Sequence, residues 1–124
     1  MNTYFLVSAI LTFLMALSHS VLGERFFLIR LFKRETPENI GNEQFLNRTT
    51  RTAWHLTAIA WCGIAAILVV LSFRSLDSTG IVISKIISVL FLISGLVSII
   101  GSHGRHLSWI IFLLISLLVW LGVY

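Results

Sequence analysis

Residues Gly80–Ser102, GIVISKIISVLFLISGLVSIIGS, contain a single Lys, Arg, Asp or Glu, which is Lys85 near the start. A helix needs about 20 mostly apolar residues to cross the hydrocarbon core of a bilayer. This stretch meets that length, so it reads as a membrane span. Three others have the same character. Thr3–Leu22, Thr52–Phe73 and Leu107–Tyr124 contain no Lys, Arg, Asp or Glu at all. None alternates as a membrane β-strand does, and each is about twice the length a barrel strand needs. Helices satisfy their own backbone hydrogen bonds inside lipid. The fold class expected is an all-α membrane protein, an antiparallel four-helix transmembrane bundle.

Composition agrees. The chain has 124 residues, enough for one domain, and is 57% hydrophobic with only 11% charged residues. Soluble domains run at about 25% charged. With a mean hydropathy of +0.96, a soluble globule and a disordered chain are both excluded. One Cys, Cys62, leaves no disulfide within the chain. A cleaved signal peptide is not expected at the first span. No basic residue precedes it, and its apolar run exceeds the usual core of about 7–15 residues.

The basic residues set an orientation. Arg25, Arg30, Lys33, Arg34, Arg48 and Arg51 lie between spans one and two, and Arg105 lies between three and four. Only Arg74 and Lys85 belong to the other side. By the positive-inside rule both termini are expected in the periplasm and the loop 23–51 in the cytoplasm. Within that loop Glu24–Arg34 mixes aromatics and cations. It is expected as a short interfacial helix, with Arg25, Arg30, Lys33, Arg34 and Arg51 on anionic lipid headgroups. Thr36-Pro37 would stop it, and Asn42 would cap the next helix. The net charge of +4 is assigned to that lipid surface and not to nucleic acid.

Polar and small residues mark the faces. Ser84, Ser88, Phe91, Gly95, Ser98 and Ser102 make a seam on span three, where small side chains let helices approach. Its use is expected within the bundle or between copies, as a homo-oligomer or part of a larger membrane complex. Ser8, Thr12, Met15 and His19 make a similar stripe on span one. Arg51, His55, Ala58, Cys62, Ala65 and Val69 do so on span two. Span four is expected to be the most lipid-exposed.

All four histidines fall on the cytoplasmic side of this topology. His19 and His55 lie about one turn inside the boundary, and His103 and His106 flank the corner between spans three and four. Glu24 follows His19. Ionisable groups at such depths are costly and often functional. Several readings are open. The histidines are interfacial polar residues bonding carbonyls and headgroups. Alternatively, His19, His55, His103, His106 and Glu24 bind a transition metal, since imidazole suits Zn, Cu, Fe and Ni. A third reading has His19 and His55 ligating a haem between helices. A fourth is a proton or substrate relay. Ser18-His19-Ser20 cannot form a catalytic triad by itself, because adjacent side chains point to different faces. There is no carboxylate pair in the membrane, no Gly-rich phosphate loop and no other catalytic set. The leading class is therefore a non-enzymatic membrane component with a polar cytoplasmic-face site. A metal- or haem-handling protein is second and a small transporter third.

The segments His19-Ser-Val-Leu-Gly-Glu24, Arg51-Thr-Ala-Trp-His55 and Gly104-Arg-His106-Leu-Ser-Trp109 together resemble a group of small bacterial four-span membrane proteins. The resemblance covers nearly the whole chain. It implies the bacterial inner membrane as location and carries no activity, ligand or partner.

Overall fold

A computed structural model describes residues 1–33 and 43–124. Among the described residues the chain is helical and contains no strand. The helices are α1 (Thr3–Leu22), α2 (Ile29–Phe32), α3 (Glu43–Phe73), α4 (Ser78–Ser102) and α5 (Ser108–Leu121). A π-helical segment, Gly23–Leu28, joins α1 to α2. Arg34, the Thr36-Pro37 stop and the Asn42 cap lie outside the described residues.

Three helical runs, Thr3–Phe32, Gln44–Phe73 and Ser78–Ser102, are long and apolar enough to cross a membrane. The fourth differs from the expected 107–124. Its regular helix, α5, has 14 residues, or about 21 Å at 1.5 Å per residue, against a hydrocarbon core of about 30 Å. A second difference concerns Glu24–Arg34. Its described part is not a separate interfacial helix. Leu22, Gly23, Leu28 and Ile29 all hold right-handed helical backbone, so α1 continues through the π-helical segment into α2. Nothing between Leu22 and Phe32 breaks a helix, and the first Pro comes later, at Pro37.

The outer surface differs from that of a water-soluble protein. Ser8, Thr12, Ser72, Ser84, Ser88 and Ser116 are buried, while Val82, Ile86, Val89, Ile93, Val97 and Ile100 face outward along α4. Water penalises such a surface; lipid does not. Phe5, Leu68, Phe91, Ile115 and Val119 have no exposed area and bring all four long helices into one core. Trp61 and Phe91 both meet the Phe112 ring, at centroid distances of 5.6 and 6.1 Å.

α1 packs on α3 and α5, and α5 packs on α4. The start of α1 meets the end of α3, since Asn2 N–H donates to the Ser72 carbonyl at 2.7 Å. The other end of α1 meets the first half of α3 at Ser20 and His55. The α4 seam is used inside the chain. Ser88 and Ser116 hydroxyls each donate to the other's backbone carbonyl, at 2.9 and 2.8 Å, and Ser98 and Ser108 hydroxyls are 2.9 Å apart. On α1, Ser8, Thr12 and Met15 are buried as the stripe requires. On α3 the stripe holds at Ala58 and Ala65 but not at Val69, which is exposed. Leu68, Leu71 and Ser72 take the inner positions instead. α5 buries one face, through Phe112, Ile115, Ser116 and Val119.

Asn2 ties three helix ends. Its Oδ1 caps α1 by accepting from Tyr4 and Phe5 N–H, and its Nδ2 donates to the Gly122 carbonyl at 2.7 Å. Loss of a cap costs about 1 kcal/mol, and an unpaired carbonyl adds a similar amount. Asn2→Ala is therefore expected to destabilise the protein by about 2 kcal/mol, read as a lower melting temperature in detergent. An unchanged value would show that these bonds contribute nothing.

Candidate functional site

At the end of α1 and in the first half of α3, two polar pairs face each other. Ser20 and Glu24 are four residues apart, as are Arg51 and His55, so each pair lies on one helical face. Ser20 Oγ is 2.7 Å from His55 Nδ1. His55 Nε2 is 3.1 Å from Glu24 Oε2, and Arg51 reaches Glu24 Oε1 at 2.9 Å. The result is one chain, Ser20–His55–Glu24–Arg51, joining the helices. Its outer members are partly exposed, with Arg51 at 48% and Glu24 at 31% of their side-chain area. Pairs that open are worth about 0–1 kcal/mol each, so the chain sets register more than it stabilises.

The donor pattern is determined by the carboxylate, which accepts and cannot donate. His55 Nε2 thus carries a proton towards Glu24, and Nδ1 accepts from the Ser20 hydroxyl. A second proton on the imidazole would reverse only the Ser20 bond, because a hydroxyl both donates and accepts. The chain keeps its bonds in both charge states of His55.

An aromatic stack supports this arrangement. The Trp54 indole lies between His19, with centroids 4.3 Å apart and planes 6° apart, and Phe27, at 5.0 Å. Trp54 Nε1 donates to the His19 carbonyl at 2.9 Å. The indole also lies directly on Gly23, where a Cβ would come within 2.1 Å of Nε1. Gly23 begins the π-helical segment, and such segments often occur at functional sites. Arg51 lies 5.1 Å over the Phe32 ring, so the helical extension beyond Gly23 also faces the start of α3.

The expected ligand set does not gather at one point. Among the described residues, no group of three or more His, Cys, Asp or Glu is placed to hold a metal ion. His55 engages both ring nitrogens within the chain, so neither is turned outward as a haem ligand would be. His19 is stacked flat on Trp54 and meets Trp61 edge-on at 4.8 Å. Its Nε2 is buried without a hydrogen-bond partner. His103 and His106 are exposed at the α4–α5 corner. His103 closes α4 in the left-handed conformation, with φ 51°, and its N–H and that of Gly104 donate back to Ile100 and Ile99. This is a helix-ending turn.

Of the expected headgroup contacts, Arg25, Arg30, Lys33 and Arg51 are exposed. Of these, Arg51 is paired with Glu24. Ser20 and Gly23 were missed. The signal that finds Ser20 is the repeat of a four-residue polar spacing, Ser20/Glu24 and Arg51/His55, at facing ends of two apolar helices. Trp54 lies near a span end, where indoles usually anchor at the interface, and here it contacts His19 and Phe27 of the chain itself. No protein-family model, curated protein or solved structure matches this chain.

Proposed function

We propose that the chain is a multi-pass protein of the bacterial inner membrane, an antiparallel four-helix bundle with both termini in the periplasm. In this reading it is a non-enzymatic membrane component. Its working part is the polar chain Ser20–His55–Glu24–Arg51 at the cytoplasmic boundary, beside a basic rim that meets anionic headgroups. One observation carries the reading. Glu24 is held by Arg51 and His55, while Arg25, Arg30 and Lys33 remain outward. The rim is therefore net positive where anionic lipid concentrates, and each such cation near the surface is worth about 1 kcal/mol.

The test compares nanodiscs of phosphatidylcholine with nanodiscs containing phosphatidylglycerol. The wild type is expected to melt higher in the anionic discs, and the gain should shrink at high salt. The triple variant Arg25→Gln, Arg30→Gln, Lys33→Gln should lose most of the gain. The same untagged protein is expected to show no Soret band and no stoichiometric metal. A salt-independent gain that survives the triple variant would contradict the lipid part of the reading. A haem spectrum lost in His55→Ala would contradict the non-redox part.

A further inference from the structure

The α4–α5 corner holds a second polar site, separate from the α1–α3 chain and resting on different residues. A depression of about 410 Å³ is lined by Ser98, Gly101, Ser102, Arg105, His106 and Ser108. Every charged or hydroxyl-bearing side chain in this lining can donate a hydrogen bond, and none is a carboxylate. Among the described residues Arg105 makes no ion pair; the two ion pairs present both belong to Glu24. The floor is organised from within. Ser98 and Ser108 hydroxyls are in contact at 2.9 Å, and Ser102 donates to the Ser98 carbonyl at 2.6 Å. The rim is held by the turn at His103 and Gly104, whose φ angles are 51° and 74°, and by the Arg105 N–H on the Ser102 carbonyl at 3.1 Å.

We infer that this depression binds a phosphate group, with the Arg105 guanidinium, the His106 imidazole and the Ser108 hydroxyl as donors. A guanidinium presents paired N–H groups that match two phosphate oxygens. An imidazole N–H and the Ser108 hydroxyl, which can accept from Ser98 and donate outward, add neutral donors. A cation site is excluded by the lack of any carboxylate, and an apolar ligand by the serine floor. Two sources supply the same chemistry. One is the phosphodiester of a phospholipid headgroup, which lies at the depth of a helix-joining corner. The other is a free phosphate or phosphomonoester from the aqueous side.

The test uses the full chain in dodecylmaltoside micelles, stripped of lipid and labelled on its histidines. Ring signals are assigned with His106→Gln. Inorganic phosphate is titrated at constant ionic strength in one arm and lysophosphatidylglycerol in the other. The His106 ring signals are expected to shift saturably, while those of His55 stay in place. Arg105→Gln should weaken the apparent affinity at least about tenfold, the effect of losing one charge-assisted bond. Arg105 is exposed, so this variant should melt like the wild type. A response to inorganic phosphate assigns a free-phosphate site. A response to the lysolipid alone assigns a headgroup site. No saturable shift in either arm, or a shift equal in the wild type and Arg105→Gln, overturns the inference.

Discussion

Gly95→Leu is expected to separate α4 from α5 and to cost about 3 kcal/mol, the upper part of the overpacking range. A Cβ at Gly95 would lie 2.7 Å from Leu113 Cδ2, 3.0 Å from its Cγ and 3.4 Å from Phe112 Cβ. An alanine there requires Leu113 to shift. A leucine requires the helices to part, and the Ser88–Ser116 and Ser98–Ser108 contacts lie on the same seam. Melting in detergent, followed by circular dichroism, should fall sharply, with Gly95→Ala in between. A variant that melts with the wild type would place this seam against lipid.

A pair of glycine substitutions should give opposite signs. Alanine is a better helix former than glycine by about 1 kcal/mol. At Gly63 an added Cβ meets nothing within 4 Å, so Gly63→Ala should be neutral or raise the melting temperature. At Gly23 it would come within 2.1 Å of Trp54 Nε1 and 2.5 Å of its Cε2. The indole would have to leave, losing its bond to the His19 carbonyl and both of its stacked neighbours. Each aromatic pair is worth about 0.5–1.5 kcal/mol and the hydrogen bond about 1 kcal/mol. Gly23→Ala should therefore destabilise by about 2 kcal/mol net, with a shift in tryptophan emission. If both variants rise, Trp54 does not pack on Gly23.

The helices and their inner faces are legible in the sequence because lipid imposes a composition and close packing selects small residues. Ser84, Ser88, Phe91 and Gly95 on α4, and Ser8, Thr12 and Met15 on α1, are read correctly from spacing alone. What spacing does not contain is the axial register between helices. That register decides that Ser20, and not His19, meets His55. It also separates His103 and His106 from the His55 chain, although all four histidines belong to one end in the sequence reading. Asn2 is hidden for the same reason, because its partners Ser72 and Gly122 are remote in sequence. The continuity of α1 into α2 is a local matter. A mixed aromatic and basic stretch suggests a separate interfacial helix, yet with no breaker before Pro37 the helix has no cause to stop at Leu22.

A four-span topology with periplasmic termini puts the Ser20–His55–Glu24–Arg51 chain on the cytoplasmic side. The shortest of the four helices, α5, has 14 residues and reaches about 21 Å. Two features favour crossing. Gly122 and Val123 continue as turn with N–H groups bonded to Leu118 and Trp120, and Trp120 and Tyr124 pair at 5.9 Å near the end, where aromatic rings anchor at an interface. Fusing alkaline phosphatase or green fluorescent protein after Tyr124 decides the matter. The account predicts an active phosphatase and a dark fluorescent protein; a bright fusion with inactive phosphatase would contradict it.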